Sequence, residues 1–342
     1  MIVLSQLRLH GFPLRQAFAL GLLLILFNVG YWGLRVWGHG LWIVYLSLAG
    51  LVWWRYPQRS VRMRIIILIV LQTCFERLPV WLPPAYGGGD GGYTTSLFLY
   101  WPLSIRSVFI ATDHGWERVA VIYTVWAIIG SLVILPVITY FRGRRFYCTM
   151  LCRWALISET LGEPFRSRAP KGRWAQYLEN TPTALLGIVV VLTLLMALGL
   201  NIRVGSSSLS QWYQLILINY LTFIVSVGII PILGARARCR YICPMGAYLR
   251  FFQTHGRFRL VADASACISC SRCDETCDMG IGIMRSARTG GLLNSGQCTG
   301  CGLCVAVCPT SVLSFSYSGD LPPEKVAYQF DKGRIRHEHA TR

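Results

Sequence analysis

Apolar segments that alternate with arginine-rich polar stretches fill the chain as far as residue 233. Most of them approach the ~20 mainly apolar residues that a transmembrane helix needs. The second segment is short and reaches that length only with its flanking residues Trp37 and Tyr56. The pattern predicts a polytopic α-helical membrane protein with six spans, at 16–36, 41–54, 65–82, 119–140, 183–200 and 212–233.

The arginines indicate how these spans are oriented. Clusters follow the second, fourth and sixth spans, at 55–64, 142–145 and 236–240. Because basic residues are retained on the cytoplasmic side, these loops, both termini and everything after the sixth span are expected there, at a bacterial cytoplasmic (inner) membrane. No small-residue cleavage site follows the first span, so we expect a retained anchor. We expect the loop at 55–64 to contact anionic lipid. For the loop at 142–173, binding to an acidic partner protein is as plausible as contact with lipid.

Composition supports this class of protein. The chain has 342 residues, 54% of them hydrophobic, and a net charge of +18. Such a charge would suggest nucleic acid for a soluble protein, but the placement of the arginines accounts for it here, and we expect no nucleic-acid partner. Twelve of the thirteen cysteines fall into spaced sets and only Cys74 is left over. Grouped cysteines in a reducing compartment indicate metal binding.

Two cysteine blocks follow the last span, and each has the spacing C-x2-C-x2-C-x3-C, which holds 4Fe–4S clusters in bacterial two-cluster ferredoxins. Zinc ribbons use two C-x2-C pairs instead, and disulfides need an oxidising compartment. We expect the fourth cysteine of each block to start a helix, point away and ligate the other cluster. The predicted ligand sets are Cys267, Cys270, Cys273 and Cys308 for one cluster, and Cys298, Cys301, Cys304 and Cys277 for the other.

Small residues inside these blocks are expected to let backbone N–H groups approach the sulfurs. They are Ser269, Ser271, Thr299, Gly300 and Gly302. The blocks differ at one place, because Pro309 follows Cys308 whereas Asp278 follows Cys277. We expect this difference to change the potential or the exposure of one cluster without removing a ligand.

The fourth and sixth spans end alike, which suggests an internal repeat. Each leads into Arg-x-Arg and then a C-x3-C pair, which we place just inside the cytoplasmic surface. Together the pairs would supply four thiolates for a third Fe–S centre, a copper or zinc ion or a redox-active disulfide; alternatively they are small residues buried at a helix bend. The four cysteines are Cys148, Cys152, Cys239 and Cys243.

A helix is expected to begin directly after the second pair. Pro244 suits the first helical position, and Gly256 would end the helix. Cys243 would then lie at a helix N-terminus, where backbone N–H groups favour the thiolate.

Polar groups near the outer side are candidates for a proton-accepting role, because such groups are costly at membrane depth. By position they are Glu76, Asp113 and His114, although Glu76 could simply pair with Arg77 and His114 could simply be solvated. The loop at 83–116 is long, and its apolar second half is expected to lie on the membrane surface. All histidines fall at ends or in loops, which disfavours a transmembrane haem.

The motifs Arg-x-x-Tyr-Cys-x3-Cys and Cys-Arg-Tyr-x-Cys-Pro-x-Gly-Ala, followed by two ferredoxin blocks, resemble the NapH/NosR/CcoG group of membrane-bound polyferredoxins. The chain is most similar to a compact, NapH-like quinol dehydrogenase subunit. The first pair departs from that pattern, since Arg153 stands where the family usually has proline. The resemblance implies a lipid-embedded electron-transfer protein of a respiratory oxidoreductase, with quinol or quinone as substrate and a redox protein as partner.

Two other functions stay open at this point. One is a CcoG-like copper reductase or metalloenzyme assembly factor, and the other is a non-enzymatic Fe–S redox sensor or anchor. The expected organisation is a transmembrane domain at 1–256, an α+β two-cluster ferredoxin-like domain at 257–318 and a polar, loosely ordered tail at 319–342.

Overall fold

The computed structural model describes most of the chain from residue 100 onward and short stretches before it. The described residues are 49–50, 53–54, 62–70, 100–113, 118–152, 154–155, 158, 161–171, 173–200, 203–204, 207–213, 215–216, 220–221, 225–289, 292–293, 296–317, 327–331 and 334–338. The first predicted span, most of the second and third, Cys74 and Glu76 lie outside these residues, as does His114.

Two helices in the described part are long and apolar enough to cross a membrane, Arg118–Arg142 and Trp174–Ala197. They coincide with the fourth and fifth predicted spans. Their outer faces carry large apolar side chains such as Ile122, which is 66% exposed, and Val191, which is 55% exposed. Exposed apolar surface of this kind is typical of contact with lipid or another protein. The complete six-span arrangement stays a prediction.

The segment 100–113 packs into the helical part, and its expected place on the membrane surface stays a prediction. Tyr100, Leu103 and Ile105 are buried in the core of the helical part. Tyr100 packs on Gly130 so closely that a Cβ there would lie 2.3 Å from its ring. Gly130 opens a π-helical turn, Gly130–Ile134, inside the first long helix. The fit of an aromatic ring against a glycine explains why this apolar stretch is buried.

Two glycine turns end the helices that lead into the C-x3-C pairs. The helix Leu135–Arg142 stops at Gly143, with φ 70°, and Ser226–Leu233 stops at Gly234, with φ 90°. Left-handed φ is readily available only to glycine. The helix Pro244–His255 then begins and ends where the sequence predicts, with Cys243 before it and Gly256 after it.

The remaining helical elements are short. They are Arg106–Val108, Ile110–Asp113, Phe146–Leu151, Glu163–Arg168, Leu209–Tyr213, Ala237–Tyr241, Ala264–Ala266, Arg272–Thr276, Ile283–Thr289 and Leu303–Val307. The second long helix consists of two regular parts, Arg173–Leu178 and Thr181–Ala197. Two small hairpins pair Arg203–Val204 with Ser207–Ser208 and, in the tail that we expected to be loosely ordered, Ala327–Asp331 with Arg334–Glu338.

The cysteine-rich region forms a small α+β module, as predicted. Its central strand Arg259–Ala262 pairs antiparallel with Leu292–Leu293 on one side and Leu313–Ser316 on the other. Leu260, which faces Leu293 and Phe315 in register, packs against Ile283 and several of the cysteines. The sheet therefore supports the cysteine loops from one side.

The fourth cysteine of each block follows a helix instead of starting one, which corrects the prediction. Arg272–Thr276 ends at Cys277, and Leu303–Val307 ends at Cys308. Both cysteines have extended backbones, with ψ of 106° and 115°. The extended backbone therefore carries each of these two cysteines away from the three-cysteine loop of its own block.

Two glycines of the second block allow a test of how the module contacts the helical part. Gly300 and Gly302 both have positive φ, but a Cβ on Gly300 would lie 2.8 Å from the Cβ of Arg145, whereas the nearest atom to a Cβ on Gly302 is 3.6 Å away. Gly302→Ala should cost about 1–2 kcal/mol through backbone strain alone. Gly300→Ala should cost clearly more, because it also separates the two parts.

Thermal loss of cluster absorbance in the detergent-solubilised full chain measures the difference between these variants. Equal midpoints for the two would show that the contact at Arg145 does not restrict residue 300.

Candidate functional site

The first predicted ligand set surrounds a single cavity. Cys267, Cys270, Cys273 and Cys308 all line it, together with Met284. The cavity is partly open to solvent. The structure therefore brings one cysteine of the second block to three cysteines of the first, and the donor set fits a 4Fe–4S cluster.

The cysteine loops share an unusual backbone conformation. The second and fourth residues after the first cysteine of each block have positive φ: Ser269 at 55° and Ser271 at 59°, then Gly300 at 64° and Gly302 at 79°. This conformation turns the loop around its centre, and serine adopts it at some cost. The Ser271 hydroxyl lies 2.9 Å from the sulfur of Met284.

The second ligand set is also assembled. Burial and, to a smaller extent, the neighbouring Cys301 and Cys298 thiols together raise the pKa of Cys277 to about 12. Burial likewise raises the pKa of Cys304 well above its usual value, with the same neighbours and Cys277 contributing. Each of these thiols, once ionised, makes ionisation of its neighbours less favourable. The positive charge of a bound metal cluster would offset this repulsion, so that all four could bind it as thiolates.

The two sets differ in exposure. We call Cys277, Cys298, Cys301 and Cys304 the inner ligand set, and Cys267, Cys270, Cys273 and Cys308 the outer ligand set. In the outer loop Cys270 is exposed and Ile268 is 63% exposed. In the inner loop Gln297 and Thr299 are buried.

The four cysteines of the two C-x3-C pairs come together as well; we call them the four-cysteine set. Burial raises the pKa of Cys148 strongly, the nearby Arg144 lowers it, and the other three thiols raise it. Cys148, Cys152 and Cys243 are buried in one cluster with Leu135 and Met245. The set is therefore buried in the core of the helical part, and its expected place just inside the cytoplasmic surface stays a prediction.

The two pairs have matching local geometry. Gly143 and Gly234 each stand five residues before the first cysteine of a pair. Cys152 and Cys243, the second cysteines, are both extended, with ψ of 123° and 112°. This agreement supports the repeat inferred from the sequence.

The backbone N–H of Gly246 lowers the pKa of Cys243, as expected for a helix N-terminus, and Arg238 lowers it as well. Burial has the largest effect, however, and together with Cys239 and Cys152 it raises the pKa to about 11. Desolvation of the charged form outweighs the helix N-terminus at this depth.

Arg238 lies buried beside the four-cysteine set. Its guanidinium stacks over Trp154, with 4.5 Å from Cζ to the ring centroid. It approaches the Cys152 sulfur. None of its three nitrogens has a partner with full hydrogen-bond geometry among the described residues. A buried cation without acceptors is costly, so the pocket fits an additional negative charge between the thiols.

Buried side chains of the helical part contact the inner ligand loop directly. Arg64 donates to the carbonyl of Cys301 at 2.5 Å, and the Gln253 amide donates to the carbonyl of Cys298 at 2.8 Å. Arg144 donates to the carbonyl of Gln297 at 2.5 Å. These contacts place the inner set, and not the outer one, against the helices.

Glu179 adds an ionic contact at the same place. It accepts from Arg240 at 2.5 Å and from the amide of Gln297 at 3.0 Å. The arginines that the sequence predicts in solvated loops are thus partly internal: Arg64, Arg144 and Arg240 are at most 3% exposed. For Arg144 and Arg240, the short distance in sequence to Cys148 and Cys239 was a signal that could have indicated this.

The predicted proton acceptors are not assembled in the described part. Asp113 ends the helix Ile110–Asp113, and Glu76 and His114 lie outside the described residues. Their role in quinol chemistry stays a prediction.

Exchange of the fourth cysteines between blocks can be tested by paired substitutions. If Cys308 completes the outer set, the double variant Cys267→Ala/Cys308→Ala should lose no more iron than either single variant, about four irons per chain. Cys298→Ala/Cys308→Ala should lose both clusters. Iron and acid-labile sulfide assays on anaerobically purified protein measure this, and the opposite pattern would mean that each block holds its own cluster.

Comparison with known proteins agrees with the cysteine geometry. Residues 259–309 match the family described as the 4Fe-4S dicluster domain. The chain is 26% identical over 190 residues to YccM of Escherichia coli (strain K12), whose name assigns it to electron transport; the match covers 51% of each chain. It therefore spans about half the length of that relative.

Two uncharacterized proteins of Methanocaldococcus jannaschii are also similar. MJ0749 is 24% identical over 65% of this chain and 84% of its own, and MJ0750 is 27% identical over 57% and 81%. No solved structure matches the chain. The dicluster match identifies residues 259–309 as the part of the chain that carries two 4Fe–4S clusters.

Proposed function

We propose that the chain is a membrane-bound protein that moves electrons between the quinol pool and a partner oxidoreductase. One observation carries this proposal: the inner ligand set is joined through buried contacts to the four-cysteine set in the interior of the helical part. The outer ligand set reaches solvent at Cys270 and the neighbouring Ile268. A series of redox sites that begins in the apolar helical part and ends near solvent suits electron transfer between a donor in the membrane and a soluble partner.

Membrane attachment is supported by the two long apolar helices and their exposed apolar faces. The arginine clusters at 55–64, 142–145 and 236–240 support an orientation with the ferredoxin module in the bacterial cytoplasm. The outward-facing ligand set would then meet its partner protein on the cytoplasmic side.

The four-cysteine set is a candidate for a third metal centre. Cys148, Cys152, Cys239 and Cys243 would hold it, and Arg238 would balance its negative charge. When bound, an Fe–S centre there supplies single-electron chemistry next to the membrane. No three His, Cys, Asp or Glu side chains of the described residues converge as they would around one ion. This holds equally for the eight ferredoxin cysteines, so the spacing of the four-cysteine set is compatible with a multi-iron cluster.

Iron counting tests the third centre. We expect about twelve irons per chain with a third 4Fe–4S centre, against about eight for two clusters. The variant Cys148→Ala/Cys243→Ala should then lose about four irons and keep the spectrum of the ferredoxin module. Eight irons in the unsubstituted chain, unchanged by these substitutions, would rule the centre out.

The quinol assignment is tested with the anaerobic full chain in lipid nanodiscs. A quinol analogue should reduce the clusters rapidly, because its electrons enter from the helical part. Salt should leave this step unchanged, since the contacts that join the two parts are buried. Reduction of Cu(II) at the expense of the clusters would instead favour copper handling. Clusters that respond to neither reagent would indicate a sensor or an anchor.

A further inference from the structure

Asp278 is the residue at which the first cysteine block departs from the second. It directly follows Cys277, where Pro309 follows Cys308 in the other block. Asp278 is 2% exposed, whereas Pro309 is exposed. Carboxylates are seldom this deeply buried unless they are paired. The difference therefore concerns the surroundings of one ligand set only.

Two arginines from the helical part surround the Asp278 carboxylate. Arg166 forms a salt bridge with Oδ2, and Nε of Arg236 lies 3.6 Å from the same oxygen. Arg236 is completely buried and comes from the segment between Gly234 and the second C-x3-C pair. Asp278 thus extends the ferredoxin module into a pocket of the helical part.

The other end of Arg236 contacts the four-cysteine set. Its Nη1 donates a hydrogen bond of 3.2 Å to the backbone carbonyl of Cys148. One guanidinium therefore connects Asp278, which adjoins an inner ligand, with the backbone of a cysteine in the other set. Because its fork of donors is rigid, Arg236 fixes the spacing of the groups that it joins.

We propose that Asp278 is a positioning residue that, through Arg236, holds Cys277 and the inner ligand set at a fixed place against the four-cysteine set. The inner set is then the one that exchanges electrons with the helical part, and the outer set is the one that a partner protein approaches. This order of electron transfer rests on the proposed function and adds to it the order in which the sites act. The contacts of Arg64, Arg144 and Gln253 with the inner loop support the same order.

Neutralising Asp278 tests the proposal through two readouts. Asp278→Asn removes a negative charge beside the inner set, while Arg166 keeps its salt bridge with Glu163 and Arg236 stays charged. The midpoint potential of one cluster should therefore rise while that of the other stays unchanged. Reduction by a quinol analogue should slow by roughly tenfold, since a small misplacement of reacting groups lowers rates strongly. Asp278→Glu should restore much of the rate. Spectroscopic redox titration and anaerobic stopped-flow of the full chain measure the two effects.

Two other carboxylates give matched controls. Glu275 is exposed three residues earlier, and Glu275→Gln should leave both potentials and the rate unchanged because solvent screens that charge. Asp274 adjoins the outer ligand Cys273, and its carboxylate accepts from the amides of Ile283 and Met284 within the module. Asp274→Asn should shift the other cluster and so identify it.

The results separate the positioning role from the quinol assignment. If Asp278→Asn shifts the same cluster as Asp274→Asn, or shifts neither cluster, the proposal is wrong. An unchanged quinol rate in Asp278→Asn would also overturn it. If quinol fails to reduce the unsubstituted chain, the quinol assignment fails, and the potentials alone still decide the role of Asp278.

If Asp278→Asn folds poorly, a second variant still tests the proposal. Arg236→Lys keeps the positive charge but loses the fork that reaches both Asp278 and Cys148. We expect both potentials to stay close to those of the unsubstituted chain while quinol-driven reduction slows. A normal rate in Arg236→Lys, with full iron content, would show that this connection does not position the inner set.

Discussion

The burial of guanidinium groups between the helices and the cysteine-rich module is the constraint on which the arrangement of the sites depends. Arg64, Arg144 and Arg236 are among the largest fully buried side chains. A buried charge is tolerated only with partners, and removal of one partner of a buried pair costs about 3–5 kcal/mol. The partners here are backbone carbonyls of the inner ligand loop and of Cys148, together with Asp278. The module can therefore dock in one position only.

This docking gives the chain a direction. The four-cysteine set lies in the apolar core, the inner ligand set lies against it, and the outer ligand set opens to solvent. Two glycine turns contribute to the first of these placements, because Gly143 and Gly234 each end an apolar helix five residues before a cysteine pair. The close fit of Gly300 on Arg145 makes the second possible.

Much of this could be predicted from the sequence. The spacing of the cysteines predicted two ligand sets, and Pro244 and Gly256 predicted both ends of a helix. Depth and burial could not be predicted, because they depend on contacts between distant segments. The sequence shows that the stretch at 100–113 is apolar, but it does not show that Tyr100 packs against Gly130. The arginines resembled a topological signal, whereas several of them bond to carbonyls more than 80 residues away. Asp278 was visible as a departure from the pattern, but its partners were not.

Hydrogen–deuterium exchange of the full chain in lipid nanodiscs tests the central claim most directly. The account predicts slow exchange at residues 296–301 of the inner loop, which are buried or half-buried, and fast exchange at 268–270 of the outer loop, which are exposed. The contrast should persist at high salt, because the arginine contacts are shielded from solvent. Equal exchange of the two loops, or release of the inner loop by salt, would contradict the account.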